Sequence, residues 1–88
     1  MYEVRLASRR VEKAIADLPP TARERMLEAI HSLRDEPRPE GVRKLSGKLS
    51  GSWRIRVGAY RVLYDIHDTD KVVVITDVGL RRDVYRRR

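Results

Sequence analysis

The sequence predicts a small α+β fold of order β-α-α-β-β-β, with two N-terminal helices packed on one face of a mainly antiparallel sheet. Three features carry that expectation. Apolar and polar residues alternate at the two-residue period of strands near the N-terminus and again from Trp53 onward. Between these stretches, apolar residues recur at the three- and four-residue spacing of helices. Pro19-Pro20, Gly58-Ala59 and His67 to Asp70 separate the segments where the period changes.

Taken in order, Tyr2, Val4 and Leu6 alternate with Glu3 and Arg5, which reads as a strand over residues 2–6. Ser8 can cap a first helix whose Val11, Ala14, Ile15 and Leu18 share one face, and Pro19-Pro20 ends it. Thr21 followed by Glu24 reads as a capping box opening a second helix. Met26, Leu27, Ile30 and Leu33 form its expected inner stripe, and Asp35-Glu36-Pro37 closes it. Residues 37–52 contain the tandem KLSGKLSG and read as a loop or a short, weak strand. Strands are expected at 53–57 and 60–66, joined by a two-residue turn at Gly58-Ala59. After a turn at His67 to Asp70, the β-branched run KVVVITDV at 71–78 reads as a well-buried strand.

The chain has 88 residues and is expected to form a single domain over 1–88. It has no cysteine, which removes disulfides and thiolate metal sites. HxH and DxD pairs on strands are absent too, so no metal and no cofactor is expected, and Asp68-Thr69-Asp70 reads as a turn. No apolar run is long enough for a membrane span, and MYEVRLASRR is not a signal peptide, so a cytoplasmic location is expected. The net charge of +7 is unevenly placed. Residues 1–40 hold eight basic and eight acidic residues, whereas residues 41–88 hold twelve and five. From 41 to 64 there are six bases and no acid. A field concentrated in this way attracts nucleic acid or an acidic protein.

The hairpin focuses that charge. A two-residue turn at 58–59 makes Val57 face Tyr60, Arg56 face Arg61, Ile55 face Val62 and Arg54 face Leu63. Trp53, Ile55, Val57, Tyr60, Val62, Tyr64 and Ile66 then share the side that meets the helices. Arg54, Arg56 and Arg61 share the other side, left open for function. Guanidinium forks bind phosphate oxygens in pairs and stay charged, so three of them can hold an RNA backbone and stabilise a phosphorane. Asp65 has the same parity but lies at the far end, where it can pair with a base. His31 in the second helix and His67 in a turn are poor candidates for acid-base work. Arg9, Arg10, Arg23 and Arg25 read as solvated helix faces paired locally with acids.

WRIRVGAYRVLYDI, followed by VVVITDVGLRRDVY, closely resembles the RelE family of bacterial and archaeal toxins, within the wider RelE/ParE superfamily. The G-x-Y-R-V-x-Y core and the V-G-x-R…V-Y ending carry the likeness, which spans nearly the whole chain. The resemblance implies a RelE-like fold and the toxin of a type II toxin–antitoxin pair. It implies an endoribonuclease that enters the ribosomal A site and cuts mRNA, the RNA's own 2′-hydroxyl attacking the next phosphate without metal. By the resemblance, Arg54, Arg56, Arg61, Arg81 and Tyr85 are the catalytic positions. Tyr85 would act as the acid-base group, its phenol acidified by nearby guanidinium groups, or would stack on a splayed base. Arginine at both 54 and 56 leaves no lysine for proton transfer, so those residues are electrostatic stabilisers. Arg43, Lys44, Lys48, Arg82, Arg86, Arg87 and Arg88 are expected to contact RNA backbone. The extra C-terminal helix of some members is expected to be absent.

Implied partners are a RelB-like antitoxin with an acidic wrapping segment, the ribosome with its mRNA and rRNA, and operator DNA only through the antitoxin complex. No membrane partner is expected. Two other readings remain: a ParE-like inhibitor of DNA gyrase with the same fold, and a basic RNA-binding module that does not cleave.

Overall fold

The computed structural model describes residues 1–45 and 51–80. Strand β1 (Glu3–Leu6) leads into helices α1 (Arg9–Ala16) and α2 (Pro20–Ser32). Strands β2 (Arg43–Lys44), β3 (Trp53–Val57), β4 (Tyr60–His67) and β5 (Val72–Leu80) follow. The sheet runs β1-β5-β4-β3-β2, antiparallel except for β1, which pairs parallel to β5 from Glu3↔Val72 to Leu6↔Ile75. The N-terminal strand therefore closes one edge, and β5 has a neighbour on each side. Most of β5 is buried or half-buried on both of its faces, and KVVVIT accordingly lacks the alternation of β3.

Helix α1 starts as its sequence predicts, but it ends at Ala16, with Asp17 as C-cap and Leu18 beyond it, rather than at the proline pair. Ser8 sits in extended backbone at the N-cap and its Oγ accepts from the Val11 N–H. Helix α2 departs from the capping-box expectation. It begins at Pro20, with Pro19 as N-cap and no side-chain cap; the Arg23 N–H donates to the Pro19 carbonyl at 2.8 Å. The physical reason lies in the proline pair. Pro20 at the first helical position has φ preset for the helix and no N–H to satisfy, so the helix starts there and Thr21 lies inside it. The inner stripe is also narrower than expected: Met26, Ile30 and Leu33 are buried, but Leu27 is 49% exposed.

Both helices lie on one face of the sheet. Val11, Ile15, Leu18, Met26, Ile30 and Leu33 pack against Ile55, Val62, Tyr64, Val73, Ile75 and Val78, with Trp53, Val57, Tyr60 and Ile66 at the margin. These are the hairpin residues that the alternation assigned to that side. Tyr64 is fully buried and donates its hydroxyl to the Pro37 carbonyl at 2.7 Å, tying the loop after α2 to the sheet. Burial pushes the Tyr64 hydroxyl pKa up. No helix among the described residues is long and apolar enough to cross a membrane.

Gly58 turns the β3–β4 hairpin at φ +62°, a left-handed conformation that favours glycine. The following turn spans 68–71 rather than 67–70, and Lys71 adopts φ +58° there. Register slips once between β4 and β5. Leu63 pairs with Asp77 but Tyr64 with Ile75, leaving Thr76 as a bulge whose Oγ1 donates to the Leu63 carbonyl at 3.2 Å. Of the loop or weak strand expected over 37–52, the described residues contain the two-residue strand β2, and Lys48 lies outside the described residues.

Candidate nucleic-acid interface

The register of β3 against β4 is the one the two-residue turn dictates: Arg56↔Arg61, Arg54↔Leu63, Ile55↔Val62 and Val57↔Tyr60. Arg54, Arg56 and Arg61 therefore share the face turned away from the helices. Strand β2 adds a fourth arginine, because Arg43 pairs with Arg54. Two adjacent rows result, one of Arg43, Arg54, Leu63 and Asp77, the other of Arg56, Arg61 and Gly79. The second row ends in a residue with no side chain beside Arg61.

This face is not the open, solvated surface that alternation alone suggests. Arg56 and Arg43 are exposed, but Arg54 is only 9% and Arg61 only 5% exposed. Leu63 is fully buried although it lies outside the core that meets the helices. A guanidinium of low exposure holds its charge in a region of reduced dielectric. Its attraction for an approaching phosphate is then stronger than that of a surface arginine. The Arg61 Nη1 donates to the Tyr60 carbonyl at 3.3 Å, which holds the side chain along its own strand.

The same face contains a carboxylate that sequence reasoning missed. Asp77 is fully buried. Its Oδ1 accepts from Arg10 Nη1 at 2.9 Å and from the Val78 N–H at 2.9 Å. Arg10 Nη2 also reaches the Thr76 carbonyl at 3.3 Å. β1 stops at Leu6, so the first turn of α1 lies beside β5 where the sheet edge is bare, and Arg10 covers it. The expectation that Arg10 pairs with a nearby acid is thus corrected. Its partner is 67 residues away, because a buried carboxylate needs a cation more than an exposed one does. Arg23 likewise finds carbonyls, donating to Ala16 and Leu18. One signal was available for Asp77: a charge inside an otherwise apolar strand must be paired or hydrogen-bonded.

Among the described residues Asp65 meets no base, the pairing its position suggested. It accepts from Ser52 Oγ at 2.8 Å. Lys44 is exposed, with its ammonium 5.7 Å from the Trp53 ring centre. The Arg38 guanidinium lies 5.1 Å from the same ring and makes a two-pronged pair with Asp68 at 2.8 and 3.2 Å. Asp68 also accepts from the Tyr2 hydroxyl at 2.6 Å. The Arg38 hydrogen bonds, then that of Tyr2, hold the Asp68 carboxyl down at about 2. The same carboxylate raises the Tyr2 pKa. Being strapped to Asp68, Arg38 belongs to a clasp between the N-terminus, the loop after α2 and the β4–β5 turn. His31 is exposed on α2, and His67 ends β4, exposed. Neither stands beside the arginine rows. Arg81, Arg82, Tyr85, Arg86, Arg87 and Arg88 lie outside the described residues, so the structure brings together Arg43, Arg54, Arg56 and Arg61 of the expected set.

Comparison with known proteins agrees with this architecture. Residues 5–85 match the family described as the ParE toxin of the type II toxin-antitoxin system, parDE. Toxin RelG of Mycobacterium tuberculosis is 37% identical over 87 residues, 98% of each chain. A chain of the archaeal RelE-RelB complex from Pyrococcus horikoshii OT3 aligns with TM-score 0.79 and 36% identity, over 91% of this chain and 94% of that one. A chain of the toxin-antitoxin complex RelBE2 from Mycobacterium tuberculosis also gives TM-score 0.79, at 32% identity over 91% of this chain and 98% of that one.

Proposed function

The chain belongs to the RelE/ParE family of type II toxins, and from that premise we propose that it is an mRNA endoribonuclease acting in the ribosomal A site. The observation that carries this reading is the direct cross-strand pairing of Arg56 with Arg61, with Arg54 on the same face. Like charges placed opposite each other weaken a sheet, by about 0.2–1 kcal/mol, so a sheet shaped for folding alone would set an acid or threonine there. Phosphate is the ligand that makes the arrangement favourable. Arg54 and Arg61, of low exposure, hold the backbone on either side of the scissile bond and stabilise the charge that builds up as the 2′-hydroxyl attacks. Arg43, exposed, steers the strand in, and Arg56, exposed beside Arg61, donates to a neighbouring phosphate. The resemblance assigns Arg81 a further contact to phosphate, and Tyr85 the task of moving the proton or stacking on the neighbouring base. Lys44, Lys48, Arg82 and Arg86 to Arg88 hold ribosomal RNA.

The similar structures from Pyrococcus horikoshii and Mycobacterium tuberculosis are toxin–antitoxin complexes, which supports a RelB-type antitoxin as the partner that silences this chain. Operator DNA is reached through that antitoxin. The family description, ParE toxin, keeps gyrase inhibition as the second reading. The two separate in one experiment. Primer extension on translating ribosomes gives A-site cuts that Arg61→Ala and Tyr85→Phe abolish if the chain is a nuclease. Gyrase-dependent DNA breaks with intact mRNA would replace this reading by the second, and RNA binding without cuts would leave a non-catalytic module.

A further inference from the structure

Asp77 has no task in the reading above, yet it is a fully buried carboxylate on the arginine face. It lies opposite Leu63, and Leu63 lies opposite Arg54. Gly79, two residues on, lies opposite Arg61, so Asp77 is Arg61's diagonal neighbour across β4 and β5. Diagonal neighbours on one face of a sheet are about 7–8 Å apart, within reach of long side chains and close enough for a strong field where water is scarce. Asp77 is also claimed from outside the face, by Arg10 at the bare end of β5. Arg10's side chain is 50% exposed, so its own charge is largely screened by solvent, while the carboxylate's is not.

We propose that Asp77 is the internal counter-charge of the arginine face, and that Arg10, by pairing with it, sets how much of that face's positive field reaches an RNA backbone. The inference rests on the proposal that this face binds RNA. In that role Asp77 offsets the mutual repulsion of Arg54, Arg56 and Arg61 while the site is empty, at some expense in affinity. Arg10 turns part of the carboxylate's charge away from the site. Both are positioning residues, acting on the ligand through the arginines.

The two partners of one ion pair should then shift RNA affinity in opposite directions, and Arg10 by more than an exposed arginine of the same charge, an excess that net charge alone does not give. The test measures binding of a fluorescein-labelled single-stranded RNA oligonucleotide to the full chain, by anisotropy at low salt. Asp77→Asn keeps the shape and the hydrogen bonds of the carboxyl's oxygen but removes its charge, and should bind about three- to tenfold tighter. Arg10→Gln leaves the carboxylate to the arginine face and should bind about two- to fivefold weaker. Arg9→Gln, one residue earlier and exposed, removes the same formal charge and should weaken binding by less than half as much. Shifts of Asp77→Asn and Arg10→Gln in the same direction would overturn the proposal, as would equal effects of Arg10→Gln and Arg9→Gln. If Asp77→Asn does not fold, the comparison of Arg10 with Arg9 decides alone. Arg56→Ala in the same assay checks the premise: unchanged affinity there would sink the RNA-binding reading itself, whatever the Asp77 result.

Discussion

Replacing Arg56 by alanine should make the protein more stable and less active. Arg56 is exposed on β3, so the change removes little packing, and it directly opposes Arg61 across the hairpin. Arg61 is only 5% exposed, so its charge is poorly screened and the repulsion between the two sits at the strong end of its kind. Relieving a like-charge cross-strand pair returns about 0.2–1 kcal/mol. For a domain of this size one kcal/mol moves the melting temperature by about 4–8 °C, so a rise of about 1–8 °C is expected by calorimetry. One charge-assisted hydrogen bond to phosphate is worth about 1.5–3 kcal/mol, so mRNA cleavage on ribosomes should fall about 10- to 150-fold in kcat/KM. Raising salt should weaken RNA binding less steeply in the variant, because one fewer phosphate contact releases one fewer counterion. The opposite pattern, a lower melting temperature with cleavage intact, would refute the reasoning, since it would make Arg56 a structural residue and not a ligand.

Tyr64→Phe removes the hydroxyl that satisfies the Pro37 carbonyl and should destabilise by about 1–3 kcal/mol in urea unfolding, with the denaturant slope unchanged. Met26→Ala should cost about 2–5 kcal/mol, whereas Leu27→Gln, one residue on, should stay within about 0.5 kcal/mol, read by the same unfolding curves. Thr21→Ala should be nearly silent, because the helix is started by Pro20 and no cap is lost. The Asp68 pair predicts an acid limb: its folded pKa of about 2 lies below the ordinary carboxylate value, so its stabilisation is present above about pH 4 and is lost as pH falls toward 2. Asp68→Asn should be less stable than the natural chain at neutral pH, and the difference should close over that window and shrink with added salt.

How much of this was legible beforehand depends on how far each interaction reaches along the chain. The hairpin was readable to the residue, because a two-residue turn and a period of two leave one register, and every pair from Trp53↔Tyr64 to Val57↔Tyr60 follows from them. The first helix was readable because Ser8 and Val11 are local. The second helix start was misread because two local signals competed: Thr21 with Glu24 spells a capping box, but Pro20 needs no cap and wins two residues earlier. Leu27 was misplaced because a helical stripe gives a direction, not a width, and the sheet beneath is only wide enough for Met26, Ile30 and Leu33.

What alternation could not show is how the two faces of the hairpin differ in depth. It gives side, not exposure, so Arg54 and Arg61 were placed correctly and still taken for surface residues. Nor could it show that an arginine of the first helix would answer an acid of the last strand, since nothing within either segment refers to the other. Yet the acid itself was the clue. In KVVVITDV a carboxylate stands where a valine would be stable, and burying it demands a cation nearby. A face that carried only positive charge would need its ligand in order to be comfortable. A face with Asp77 beside Arg61 is closer to balance when empty, and can therefore keep its arginines grouped and ready while the protein is folded and free.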